Sequence, residues 1–265
     1  MYRGAGYHFL ALTDHFLERY GFPISDTRGL RTDGFTTLLG AELHAGEITL
    51  GGHWHIVAAG LPLDFEPTPL GQSGADLCQR ARTAGAYVAA AHPYWYGVTL
   101  EDIESLGEID AIETFNGTCM GENDRGDSWH VLDALLARGH RYLACANDDA
   151  HFAPDRVDFA CGWTHVKATQ CEPEAILAAL KAGHYYSSTG PELHDVLFEG
   201  KDSITIHCSP CRAIFVSGQS ARSRRLHGDN LTEATFTLDG ITSPYLRVTV
   251  VDASGGRAWT NPIWR

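Results

Sequence analysis

Apolar residues in this chain fall first into short runs and then into stripes. Runs at residues 7–13, 36–41, 54–60, 86–91, 109–114, 142–146 and 162–167 have the length of buried strands. Between several of them the apolar positions take helical spacing. Residues 73–84 start at Ser73, a good N-cap, and stop before Gly85. Residues 127–138 carry Trp129, Val131, Leu132, Leu135 and Leu136 and stop before Gly139. Residues 173–182 start at Pro173 and stop before Gly183. Repeated strand-then-helix units predict an α/β domain over residues 1–191, built on a mostly parallel sheet, open or closed.

Past about residue 192 the pattern changes. Residues 203–208, 213–217, 234–238 and 245–252 read as short strands separated by Gly, Ser, Asp and Pro, with no helix among them. They predict a small antiparallel β module over residues 192–265, a sandwich or half-barrel. Its aromatic end, residues 258–264, is expected to pack back on the first domain.

Composition narrows the classes. Hydrophobic residues make up 44% of 265, enough for a real core and against disorder. No run approaches the roughly 18 apolar residues of a membrane span, and no secretory leader is visible. Acidic residues outnumber basic ones 33 to 20, a formal charge of −13, which argues against a nucleic-acid polymer and leaves a small-molecule substrate as the expected partner. The 7 cysteines are scattered and read as reduced thiols of a cytoplasmic protein. Cys208-Ser-Pro-Cys211 is a lone pair and a weak zinc signal.

The candidate chemistry lies at the strand ends. Asp14 and His15 end the first run, Glu42 follows the second, His55 opens the third, and His92 ends the fourth. Asp149 and His151 follow the sixth. Each alone has an ordinary reading as a cap, a turn residue or a half-buried structural histidine. Together, imidazoles and carboxylates at one end of successive strands are a ligand set for zinc, manganese or iron. His53 shares a strand face with His55 and is the expected substitute ligand, while His44 and Glu47 read as solvated loop residues, and His130 and His165 are further histidines without an assigned part. Trp95 and Tyr94 follow His92 and are candidates for an aromatic wall. No Gly-x-Ser-x-Gly elbow and no strand leading into Gly-x-Gly-x-x-Gly is present, which argues against a serine hydrolase and a dinucleotide enzyme.

Thr13-Asp14-His15, Gly40-x-Glu42, His55-Ile-Val, Ala91-His92-Pro93 and Asp149-x-His151, in this order over residues 1 to about 190, resemble the motifs of the polymerase-and-histidinol-phosphatase (PHP) superfamily. Glu113-Thr-Phe-Asn116-Gly117, the 183–191 segment and residues 258–262 resemble a narrower branch with a C-terminal β module, which includes carbaryl hydrolases. The resemblance implies a distorted (β/α)7 TIM-like barrel, one to three divalent ions (Mn, Zn or Fe), and hydrolysis of a phosphoester of a small metabolite or nucleotide. The alternatives it leaves are a carboxylic or carbamate ester on the same centre, or a non-catalytic metal-binding remnant. By resemblance, Glu42, His55 and His92 hold one ion. His15 and His151 hold a second, whose Asp is absent here, so that only the first site is complete. Glu42 and Asp149 share a third. Asp14, His15 and His151 are candidates for proton transfer, with Asp14 orienting an imidazole or water. Arg125, Asn116 and Asn147 are candidates for substrate contact. Members of the superfamily begin with a strand carrying His-x-His, which has no counterpart here. The expectation is either that the reading frame extends upstream of Met1, because a barrel without that strand has an open edge, or that the chain lacks those ligands.

Overall fold

The computed structural model describes residues 1–265. It contains two curled sheets, with 37% of residues in strands and 21% in helices. The fold is therefore mostly β, and the expected (β/α)7 TIM-like barrel is corrected by this finding. No helix is long and apolar enough to cross a membrane.

The first sheet holds β1 (Phe9–Leu12), β2 (His15–Phe16), β3 (Thr36–Ala45), β4 (Trp54–Ala59), β5 (Tyr87–Ala90), β6 (Ala111–Asn116) and β7 (Leu143–Asn147). Its order is β1-β3-β4-β5-β6-β7, with β2 continuing the pairing of β1 along β3. The strand ranges follow the sequence pattern closely; the wiring does not. Between β2 and β3 the chain makes only 3-10 turns, at Glu18–Tyr20 and Arg28–Leu30, where the barrel needed a helix. The short glycine-rich loop after β3 returns the chain directly, so β3 and β4 are antiparallel, and β4 runs antiparallel to β5 as well. Strand–helix–parallel-strand units survive only from β5 to β7. They are spanned by α2 (Pro93–Tyr96) with α3 (Leu100–Ser105), then by α4 (Gly117–Asn123) with α5 (Trp129–Ala137). The helix α1 (Gly74–Thr83) links β4 to β5, its Ser73 side chain accepting from the Asp76 N–H as a cap.

The second sheet takes in β8 (Trp163–Val166) and β9 (Tyr185–Ser188), which flank α6 (Pro173–Lys181) and pair antiparallel. It continues through β10 (Leu193–Glu199), β11 (Ser203–Gly218), β12 (Ser223–Thr237), β13 (Tyr245–Val251), β14 (Arg257–Thr260) and β15 (Ile263–Trp264). The runs expected at 203–208 and 213–217 are one bent strand. Register shifts between His207, Cys211 and Ala213 show bulges, not a break. Cys208 and Cys211 both point inward there, with their sulfurs 3.7 Å apart in the core of this sheet.

Alternation along β3 explains how a core and a site share one strand. Ala41, Leu43 and Ala45 face α1, α3 and α5 across the main core, with Leu77, Ile103 and Leu132 opposite. The other parity carries Leu38, Gly40, Glu42 and His44 to the concave face. Gly40 is required: a Cβ there would stand 2.5 Å from the Ala58 carbonyl oxygen of β4. Deeper on the concave face, Leu38, Ala89 and Ala111 are covered by Ile176 and Leu180 of α6.

The two sheets share a core. Tyr245 and Trp259 of the second sheet are buried in the main cluster, where Trp259 lies 5.9 Å from Trp129 and 6.1 Å from Phe115 between ring centroids. Asn261 completes the join. Its Oδ1 accepts the Ala144 N–H at 2.8 Å, and its Nδ2 donates to the carbonyls of Gly183 and Tyr185, both at 3.0 Å.

Candidate metal centre

Strand register assembles the site. The parallel pairing of β2 with β3 puts His15 opposite Glu42, and the antiparallel pairing of β3 with β4 puts His44 opposite His55. Glu42 and His44 are two residues apart and so share a face. Four side chains from three strands therefore meet with no loop needed to bring them together. Their ligating atoms all lie within 4.8 Å of one another.

The distances are short. Glu42 Oε2 is 2.8 Å from His15 Nδ1, and Glu42 Oε1 is 2.5 Å from His55 Nδ1. His15 Nδ1 is also 3.0 Å from His44 Nε2. His92, at the end of β5, brings Nε2 to 3.4 Å from Glu42 Oε1. Donors around a tetrahedral ion with bonds of about 2.0–2.1 Å stand about 3.4 Å apart. A first-row divalent ion would thus need the closest pairs to open by up to about 0.9 Å. The donor set itself, nitrogens around one carboxylate, suits such an ion, and His92 Nδ1 is buried without a hydrogen-bond partner. The buried group of His15, Glu42, His44 and His55 can bind a metal ion.

The electrostatics agree. Burial alone would raise the Glu42 carboxyl, but hydrogen bonds with His15, His55 and His92 hold it well below the usual range, so it is an anion. Burial and the neighbouring His55 push the His44 imidazole down to about 3, which favours its neutral, ligand-competent form. Burial opposes the charged form of His92, yet Glu42 and Glu113 raise it to about 9. His15 is raised by its bond to Glu42. Metal-free, the cluster is a carboxylate sharing protons with imidazoles, and binding an ion must displace those protons.

Asp149 and His151 face this cluster from the loop after β7. The His151 ring is 5.8 Å from that of His15, and His151 Nδ1 lies 2.7 Å from its own loop's Asp149 carbonyl. Asp149 holds a positive φ of 54°. Burial and the Glu42 charge raise its carboxyl. Two further acids fix this loop. Asp148 accepts from the N–H groups of Ala160, Cys161 and Gly162 and from the Tyr2 hydroxyl, and Asp158 accepts the His151 N–H at 2.6 Å.

Asp14 lines the same cavity and accepts from the Ser25 hydroxyl at 2.6 Å. Asn116 and Asn147 are paired neighbours on β6 and β7, and both bond to the buried Glu113. Arg125 is exposed outside the cavity, its guanidinium 5.7 Å from the Tyr94 ring centre. Trp95 is half-buried on α2, and the ring from α2 that reaches the cluster is Tyr96, whose hydroxyl is 3.1 Å from His55 Nε2. His53 points away, its Nδ1 bonded to the Gly46 carbonyl, and His44 takes the place expected for it. His44 lies within β3, not on a solvated loop, and the signal for it was its i+2 spacing from Glu42. His130 is exposed on α5, and His165 belongs to the second sheet.

His15, Glu42, His92, Asp149 and His151 open onto a cavity of about 1290 Å³. Tyr2, Tyr7, Phe9, Phe152 and Trp163 form part of its wall, and no lysine or arginine does. Compared with family models and with curated proteins, the chain matches none.

Proposed function

We propose that this protein is a metal-dependent hydrolase of small molecules. One observation carries the reading: a buried carboxylate, Glu42, ringed by His15, His44, His55 and His92 at the edge of a large cavity. A bound Mn, Fe or Zn ion would supply Lewis acidity and a water of lowered pKa. Glu42 turns Oε2 to His15 and Oε1 to His55 and His92, so it can serve one ion or bridge two. Asp149, raised by burial, can hold a proton inside the cavity, and exposed His151 can pass one to solvent. Asn116 Nδ2 donates to Asp149 Oδ2 at 3.2 Å and orients that carboxyl group. The motifs that resemble the PHP superfamily support the same class of reaction.

Two bond types remain, each favoured by an observation. The bridging disposition of Glu42 suits a phosphoester, whose developing charge two ions stabilise together. The wall without lysine or arginine suits an uncharged ester or carbamate, which needs no cationic clamp. The test is to strip the protein with chelator and load Mn, Zn or Fe(II) separately. Each form is then assayed on p-nitrophenyl phosphate, its bis-ester, p-nitrophenyl acetate and an aryl N-methylcarbamate. Metal-dependent turnover of one class, lost in Glu42→Ala, is expected. Folded protein that takes up no metal would overturn the proposal, and uptake without turnover of any class would reduce it to a binding function.

A further inference from the structure

We propose that Glu113 is a positioning residue of the metal centre: its carboxylate fixes the backbone of His92 and, through Asn116, the side chain of Asp149. The inference rests on the reading above that His92 and Glu42 hold an ion.

Glu113 lies on β6 and is 2% exposed. The groups bonded to it are N–H donors. Oε2 accepts from the His92 backbone N–H at 2.7 Å and from Asn116 Nδ2 at 2.9 Å; Oε1 accepts from Asn147 Nδ2 at 2.6 Å. A buried carboxylate held by neutral donors alone is costly unless every donor is aimed at it. Here those donors come from three separate elements.

What this arrangement holds is an unfavourable backbone. His92 has φ 28° and ψ 59°, left-handed values that L-residues avoid, and it precedes a proline, which disfavours helical conformations further. The β5–β6 ladder ends at Ala90, paired with Ile112. The next N–H, that of Ala91, turns to the His55 carbonyl. The His92 N–H then has no strand partner, and the Glu113 carboxylate takes the acceptor's place. With that bond made, the ring of His92 faces Glu42.

The same carboxylate reaches Asp149. Asn116 cannot turn its amide over, because Oδ1 accepts the Cys119 N–H at 2.8 Å at the start of α4. Its Nδ2 therefore stays directed at Glu113 Oε2 and Asp149 Oδ2. Two residues with positive φ, His92 and Asp149, are thus referred to one buried acceptor.

The test compares Glu113→Met with Glu113→Gln. Methionine matches the size and accepts nothing of note. Glutamine keeps one carbonyl for His92 and Asn116, while its amide can donate to a turned-over Asn147. Zinc and manganese affinity would be titrated against a chromophoric chelator, with melting temperature recorded. Hydrogen exchange of the segment containing the His92 amide would be measured in metal-free protein. Loss of a group that orients a metal ligand weakens binding by about 10–100-fold, and that is expected for Met, with faster exchange at His92. For Gln, affinity within about threefold of wild type and unchanged exchange are expected, because the acceptor is kept. Equal affinity and exchange in wild type and Met would overturn the proposal, as would Gln falling as far as Met. Should the Met variant not fold, Glu113→Asp keeps the charge but withdraws it from His92; unchanged affinity there would overturn it too. If wild type binds no metal, the metal centre fails, and His92 exchange alone then decides whether Glu113 holds that residue.

Discussion

Glu42 and His15 stand opposite each other in the parallel pair of β2 and β3, with Oε2 and Nδ1 2.8 Å apart. That pair, extended by His55 and His92 on Oε1, makes Glu42 the common partner of three imidazoles. Glu42→Ala is expected to weaken zinc or manganese binding by about 100-fold or more, since it removes the one anionic donor among neutral nitrogens. Titration against a chromophoric chelator checks this. Unchanged affinity would place the ion elsewhere.

His44 and His53 offer a sharper comparison, because the chain carries both near His55 and uses only one. His44→Ala is expected to reduce metal affinity by about tenfold, the scale for loss of a group at or next to the ligand set. His53→Ala, outside the cluster and bonded to a loop carbonyl, is expected to leave it unchanged. Equal effects would mean that the β3–β4 register is shifted in solution.

The metal-free protein should lose stability as pH rises above neutrality. His92 is raised to about 9 in the folded state, so its contribution is complete below its ordinary pKa of 6.5 and is lost as pH rises towards 9. Burial raises Glu113 and Asp149, and their effect has the same sign: stability falls as pH climbs through their folded values. Glu42 and His44 are lowered and act oppositely: the Glu42 contribution fades as acid protonates it, and His44, held down to about 3, costs stability as pH falls below 6.5. Melting temperature of chelator-treated protein is expected to decline from about pH 6.5 towards pH 9. Metal affinity is expected to run the other way, rising with pH as protons leave the ligands. A melting profile that is flat from pH 6 to 9 would contradict the proton-sharing cluster.

Asn261→Ala should destabilise the whole chain without touching the ligands. It leaves the Ala144 N–H and the carbonyls of Gly183 and Tyr185 without their partner in a buried joint, at about 1–3 kcal/mol per orphaned group. For a chain of this size the melting temperature is expected to drop by at least about 4 °C. A single cooperative transition should persist. Two separated transitions would show that the sheets melt independently.

The strands of the first sheet were legible because each is a compact apolar run, and the end of each run delivered Glu42, His55 and His92. What the sequence could not carry was direction. A run such as 54–60 is equally apolar whether it runs parallel or antiparallel, so the reversal at β4 left no trace in it. The polar stretch at 17–35 was open to helix or coil, and only packing decided for 3-10 turns. His44 was missed for a related reason: β3 runs through Ala45, longer than its apolar core suggests, because its last residues alternate site and core. Glu113 was visible only as part of a motif; two of its three donors, His92 and Asn147, come from other parts of the chain.

Asn261 occupies, with one amide side chain, backbone positions that a neighbouring strand would otherwise fill beside Ala144, Gly183 and Tyr185. The C-terminal sheet is therefore not a cassette that can be swapped for another of similar shape. A chimera that replaces it would need an asparagine delivered to that point, or β7, the strand leading to Asp149 and His151, would lose its anchor.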